Sequence, residues 1–204
     1  QTWILVLDGQ VLLYDTGGGD PAGANMAQTV ILPYLRLRGI AAVDTLVISH
    51  PDNDHSAGAT TLLAAMPPSR VYFGGDWEAT AGARPCLAGQ AWRWPGGEQF
   101  QFLSPAPGLT GSGPSNDSSC VLQIDAAGYR LLLAGDVESP QERELVSYWG
   151  KRLASDWLLV AHHGSRTSSS WALLKSVSPA IAAVSSGYAN RFGHPHEDVV
   201  ARLL

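Results

Sequence analysis

Between Ser49 and Gly58 the chain reads SHPDNDHSAG, which puts His50, Asp52, Asp54 and His55 within six residues, directly after the apolar run VDTLVIS. Two imidazoles and two carboxylates in a loop at the end of a buried strand serve no packing purpose. They are a donor set for divalent cations: imidazole suits Zn, Mn and Fe, and added carboxylate shifts preference toward Mn or Mg. Four more polar positions are expected to follow strands: Asp15 in LLYDTG, Asn116-Asp117 in NDSSC, Asp136 in LLLAGD and His162-His163 in VAHHGS. Each of these alone reads as a turn or a helix cap. Strand ends on one edge of a sandwich can bring distant residues together, so the five clusters are expected to build one site. There Asp136 is expected to bridge two ions about 3.5–4 Å apart, a spacing suited to in-line displacement at phosphorus.

The elements that must position these residues are readable from pattern. WILVLDGQVLLYDTGGG reads as a hairpin turning at Asp8-Gly9. NMAQTVILPYLRLRGI has helical spacing closed by Gly39, and SAGATTLLAAM reads as a helix after the cluster. RVYFGG is a strand, and residues 76–114 are rich in Gly, Pro and Trp, with strand-like pieces at AWRWPGG and EQFQFLSP. SSCVLQIDAAGYRLLLAGD is a second hairpin. SPQERELVSYW is a helix expected to open on Ser139 as cap with Pro140 at the first helical position. DWLLVAHHGS and AIAAVSS read as strands, SSSWALLKSV and PHEDVVARLL as helices, the last opened by Pro195. Hairpins followed by alternating strands and helices in each half predict the α/β class, as a single-domain, four-layer αββα sandwich over residues 1–204.

Bulk properties narrow the function. A hydrophobic fraction of 45% over 204 residues supports a large core, and no apolar run is long enough to span a bilayer, so no independent membrane insertion is expected. The chain opens directly in a strand and reads as a domain cut from a longer protein. A net charge of −5 argues against a broad nucleic-acid-binding surface, but two bound divalent cations would reverse the charge locally. Cys86 and Cys120 are too few for a zinc-finger framework; they are either two buried thiols or one disulfide closing a 35-residue loop in an oxidising compartment.

The pattern resembles the metallo-β-lactamase-fold hydrolases. His50-x-Asp52-x-Asp54-His55 is similar to their HxHxDH signature with Asp52 at the second histidine; LLYDTG, LLLAGD and VAHHGS resemble their first, fourth and fifth motifs. The departures, HxDxDH with NDSSCVL where a histidine is usual, then AHHGS and GHPHEDV, look like the C-terminal domain of ComEC-type DNA-uptake channel proteins. The resemblance implies two divalent metal ions. His50, Asp52 and Asp117 (in preference to Asn116) would serve one; Asp54, His55 and His163 (in preference to His162) the other, with Asp136 between them. Oxygen in place of nitrogen at Asp52 and Asp117 favours Mn, with Zn also possible. Asp15 would orient the ligand loop from outside the metal shell. His194 would stand at the rim, giving a proton to the leaving oxygen or binding phosphate, unlike His196, which reads equally as an early helix residue facing solvent. Ser165, Thr167 and Ser168–Ser170 either donate to a phosphate or cap the next helix.

The activity so implied is phosphodiester hydrolysis of DNA during natural transformation, degrading the non-imported strand, with Asp54, Asp136 and His194 catalytic. Its partners would be single-stranded DNA and the channel portion of the same parent protein, which would hold the domain on the extracytoplasmic side of the inner membrane. Two other readings stand beside it: a binding module on the same fold that does not cut, and a hydrolase of a small ester such as phosphocholine.

Overall fold

The computed structural model describes residues 1–76, 82–107 and 115–204; parts of the Gly-, Pro- and Trp-rich middle, at 77–81 and 108–114, lie outside these. The chain divides into two compact units, Gln1–Cys86 and Leu87–Leu204, each built on one sheet. The class is mixed α/β, two sheets with helices, as the element pattern predicts.

In the first unit the hairpin of β1 (Trp3–Leu7) and β2 (Gln10–Tyr14) turns at Asp8 and Gly9, both at positive φ, the paired left-handed geometry that matches strand twist. β3 (Thr45–Ile48), β4 (Arg70–Phe73) and the two-residue β5 (Arg84–Pro85) extend the sheet in parallel, in the order β1-β2-β3-β4-β5. Because β2 and β3 run parallel with Tyr14 opposite Val47, Asp15 and the residues following Ile48 leave the sheet at the same edge. The helix expected over residues 25–40 is interrupted: Ala27–Ile31 is a π-turn in which Leu32 N–H reaches back five residues to Ala27, and only Leu32–Leu37 (α1) is α-helical. Pro33 accounts for the break, since it has no N–H and its ring crowds the carbonyl four residues earlier. α2 (Asn53–Ser56) lies within the ligand cluster itself, and α3 (Ala59–Ala65) follows. The core gathers Leu13, Ile31, Leu35, Leu46, Ile48 and Leu62.

In the second unit β6 (Ala91–Arg93), β7 (Gln99–Ser104), β8 (Val121–Ala126) and β9 (Tyr129–Leu133) are antiparallel, while β10 (Trp157–Leu159) and β11 (Ile181–Ala183) add in parallel beside β9. Residues after β9, β10 and β11 therefore share one edge. The antiparallel β8 starts at that same edge, Leu122 lying opposite Leu133. Asn116 and Asp117 accordingly precede a strand, on a 3₁₀ turn at Ser115–Ser118, and do not follow one as expected.

α4 (Ser139–Trp149) is capped by Glu138 and not by Ser139, so Pro140 falls one position later than expected. α5 (Trp171–Val177) is capped by Ser170, whose side chain accepts from Leu173 N–H, and α6 (Glu197–Leu203) by His196. Leu132, Leu145, Leu153, Leu158 and Leu173 form the core. Neither cysteine is free; both are buried and disulfide-bonded, which decides between the two alternatives. No helix among the described residues is long and apolar enough to cross a membrane.

Candidate metal centre

In the first unit the organising residue is Asp15, fully buried and at positive φ. Its carboxylate accepts from Ser49 N–H at 2.7 Å and Ser49 Oγ at 3.0 Å, and lies 2.7 Å from His55 Nδ1. An ionised carboxylate only accepts, so His55 Nδ1 carries its proton. Ser49 spends its single hydroxyl proton on Asp15, and so accepts from His50 Nδ1 at 2.9 Å. With Nδ1 so engaged, a neutral form of either ring would present Nε2 as a lone pair. Those nitrogens face oxygens: His50 Nε2 is 3.6 Å from Asp52, and His55 Nε2 is 3.6 Å from Asp54. The two rings sit 4.1 Å apart. Asp52 is the N-cap of α2 yet makes no capping bond with its side chain, although aspartate is among the best caps. Its carboxylate is turned to His50 instead.

Close packing fixes this loop. A Cβ at Gly58 would come within 2.7 Å of both Ala27 Cβ and the Thr16 carbonyl, and one at Gly18 would meet Asp54 Cα at 3.2 Å. Thr16 ties the loops together, donating to the His55 carbonyl through N–H at 2.7 Å and Oγ1 at 3.0 Å.

The second unit repeats the logic with different parts. His162 and His163 both have positive φ, turning two consecutive rings off the end of β10. His163 Nδ1 donates to the Ser185 carbonyl at 2.7 Å, and its Nε2 lies 3.4 Å from Asp136 Oδ2. His162 Nε2 is farther, 3.9 Å, and its Nδ1 faces Glu138 at 3.2 Å. Asp136 is 3% exposed and held by its N–H to Ser119 Oγ at 3.1 Å. Asn116 donates its amide to Glu138 at 3.2 Å. Burial, then the neighbouring Glu138 carboxylate, raise the pKa of Asp117 above the ordinary carboxylate value.

His194 lies 5.9 Å from His162 and 6.4 Å from His163, ring to ring. Burial, then those two rings, lower its pKa, outweighing the opposing pull of Asp136. His196 caps α6, its Nδ1 accepting from Asp198 N–H at 3.2 Å, and is partly exposed at the start of that helix. The serines are used internally: Ser165 pairs with Thr167 at 3.0 Å, Ser168 donates to the Ala161 carbonyl at 2.8 Å, and Ser170 caps α5. The capping alternative describes Ser170.

Each unit therefore presents imidazole Nε2 atoms toward carboxylate oxygens at 3.4–3.6 Å, too long for a hydrogen bond in the two first-unit pairs and within the span open to two ligands of one cation. The metallo-beta-lactamase superfamily profile matches residues 1–188. The chain belongs to the metallo-beta-lactamase superfamily. It is 40% identical over 206 residues to recombination protein 2 of Haemophilus influenzae, covering 98% of this chain and 24% of that protein. It is 42% identical over 192 residues to competence protein ComA of Neisseria gonorrhoeae, covering 94% and 26%. The chain thus spans about a quarter of the length of these curated relatives. A metallo-beta-lactamase of Cronobacter sakazakii with a HARLDQ motif shares the fold, with a TM-score of 0.55 at 15% identity over 87% of this chain and 78% of that one.

Superfamily membership supports a hydrolase and implies divalent-metal binding, and the histidines and aspartates above are the candidate ligands. Sequence reasoning missed Ser49, Thr16, Ser185 and Glu138, which orient the ligands. Ser49 alone had a visible signal, a hydroxyl beside a clustered histidine.

Proposed function

We propose that this domain is a two-metal phosphodiesterase that cuts DNA during its uptake, degrading the strand that is not imported. One ion would be held by His50, Asp52 and Asp117, the other by Asp54, His55 and His163, and Asp136 would serve both. The observation that carries this reading is that hydrogen bonds at Nδ1 orient His50, His55 and His163 with Nε2 toward carboxylates. The fold supplies hydrolysis, and the names of the relatives, recombination and competence proteins, supply DNA as substrate. When bound, two divalent ions provide Lewis acidity at phosphorus and lower the pKa of a water.

The chain's own residues do the rest. Asp15 and Ser49 hold two imidazoles against rotation, and Ser185 holds the third. His194, whose pKa burial lowers, offers one N–H as a hydrogen-bond donor to the phosphate or to the departing oxygen. Every proposed ligand position keeps an imidazole or a carboxylate, which favours a working site over a module that only binds. The oxygen-rich set of Asp52, Asp117 and Asp136 favours manganese over zinc in turnover, even where zinc binds more tightly. The disulfide supports an oxidising, extracytoplasmic setting, in which a channel portion of the parent protein would carry the other strand.

The test is protein chelated and then reloaded with Mn²⁺, Zn²⁺ or Mg²⁺, assayed on single- and double-stranded DNA and on bis-p-nitrophenyl phosphate. Fastest DNA cleavage with Mn²⁺ is expected, and Asp52→His with Asp117→His should move the optimum toward zinc. Cleavage of the aryl diester without DNA would make it a small-ester hydrolase; cleavage of neither would leave a binding module.

A further inference from the structure

The loop between β11 and α6 holds aromatic rings out in solvent on a rigid frame. Tyr188 is fully exposed and Phe192 is 65% exposed. Their exposure does not come from a slack chain. Asn190 ties the loop to itself: its amide donates to the carbonyls of Gly187 at 2.9 Å and His194 at 2.6 Å, while its oxygen accepts from Phe192 N–H at 3.2 Å and His194 N–H at 3.0 Å. The far end is pinned by His196 N–H donating to the Gly164 carbonyl at 2.8 Å. Gly164 is needed there, since a Cβ would lie 2.7 Å from Pro195 Cβ. Keeping large apolar rings in water on an ordered loop forfeits the burial they would otherwise gain.

Charge singles out the same region. The whole chain is at −5, yet residues 157–196 contain no Asp or Glu and carry Arg166, Lys175, Arg191 and four of the six histidines. Arg191 sits over the Phe192 ring at 4.7 Å, and Phe192 stacks on His194 at 5.7 Å with the planes 25° apart. Aromatic rings beside a guanidinium, on a segment with no acidic residue of its own, are what a single-stranded nucleic acid uses: bases stack on rings and the cation takes a phosphate.

We infer that Tyr188, Arg191 and Phe192 form a nucleobase-stacking platform for single-stranded DNA, Tyr188 taking one base and the Arg191 guanidinium, seated over Phe192, taking a second base or the intervening phosphate. This rests on the DNA reading above and gives the site a preference for unpaired strands without sequence specificity. Because Phe192 stacks on His194, a strand held by the platform is delivered to the proposed site.

The experiment compares binding of a short fluorescein-labelled oligothymidylate with that of an abasic strand of equal length, by anisotropy in Ca²⁺ buffer, recovering the strand intact afterwards. The wild type should bind the intact strand at least ~5-fold more tightly, with ~5- to ~150-fold the range for each stacked base. Tyr188→Ala with Phe192→Ala should bring that ratio close to one, while Tyr188→Phe with Phe192→Trp keeps it. A wild type that does not distinguish the two strands overturns the platform without needing any variant to fold. So does an unchanged ratio in the alanine variant, or a wild type that instead binds vesicles of anionic phospholipid through these rings. Base-dependent binding by a protein that cleaves no DNA would keep the platform and sink the nuclease reading.

Discussion

The two units present their candidate metal-binding residues in contrasting ways. The first packs His50 and His55 wholly inside the protein and steadies them with one buried carboxylate and one serine, all drawn from a single loop and the end of the neighbouring strand. The second spreads its residues over five segments, leaves His162 and His163 partly exposed, and orients them through a backbone carbonyl and the half-exposed Glu138. The first half is rigid at the level of side chains, whereas the second depends on its loops. Damage to one buried side chain should therefore be felt sharply in the first half. In the second, the larger sensitivity should lie in what supports the loops.

The largest effect should come from the ligands themselves. Asp54→Ala in the first unit and Asp136→Ala in the second should each lower phosphodiester turnover by more than the ~100-fold ceiling typical of outer partners, with circular dichroism unchanged. Turnover near wild type in either would remove that half from the active site.

The contrast between the halves predicts an asymmetry one step out. Asp15→Asn should weaken manganese binding ~10- to ~100-fold, because Asp15 sets the tautomer of His55 directly and that of His50 through Ser49. Glu138→Gln should cost less than ~10-fold, since Glu138 faces His162 and not His163, whose partner is backbone. Equal losses in manganese titrations of the two variants would break the comparison.

Stability gives two further handles. Reduction of the disulfide that closes the 35-residue loop should cost roughly 3 to 4 kcal/mol in the chain-entropy account, read as a lower midpoint in urea under reducing conditions. A smaller effect concerns Glu142, which is fully buried and accepts from Ser169 N–H and Ser170 N–H. The adjoining Ser168 holds the Ala161 carbonyl just before the histidine pair. Burial raises the Glu142 pKa above its ordinary value, more than those hydrogen bonds and Arg202 lower it. The unfolded chain then releases this proton first, so stability is fully present below the ordinary carboxylate range and falls as pH rises through the folded pKa. Glu142→Gln should flatten that slope in thermal midpoints measured across pH; an identical slope would show that Glu142 does not titrate there.

How much of this was legible in the sequence followed from how local each signal is. The hairpins were readable because Asp8-Gly9 and Ala127-Gly128 carry the left-handed turn within two residues. The His50–His55 cluster was readable because its donors are contiguous. The π-turn ahead of α1 was not, because apolar periodicity does not register the backbone adjustment that Pro33 forces. Asn116 and Asp117 were misplaced relative to their strand because the edge they share with Asp136 is set by antiparallel pairing of β8 with β9, a long-range fact. The capping role of His196 was not legible because a histidine ring nitrogen is an uncommon cap, and the role of Ser49 was not because it emerges only when the hydrogen bonds of three neighbouring groups are counted.

The most direct test of the central claim is the number and affinity of manganese ions bound by the chelated protein, measured by calorimetry on the wild type and on Asp136→Ala. The proposed ligand set predicts two ions per chain in the wild type and weakened binding of both in the variant, because Asp136 is shared. Two undiminished ions in Asp136→Ala, or a wild type that takes up none, would contradict it.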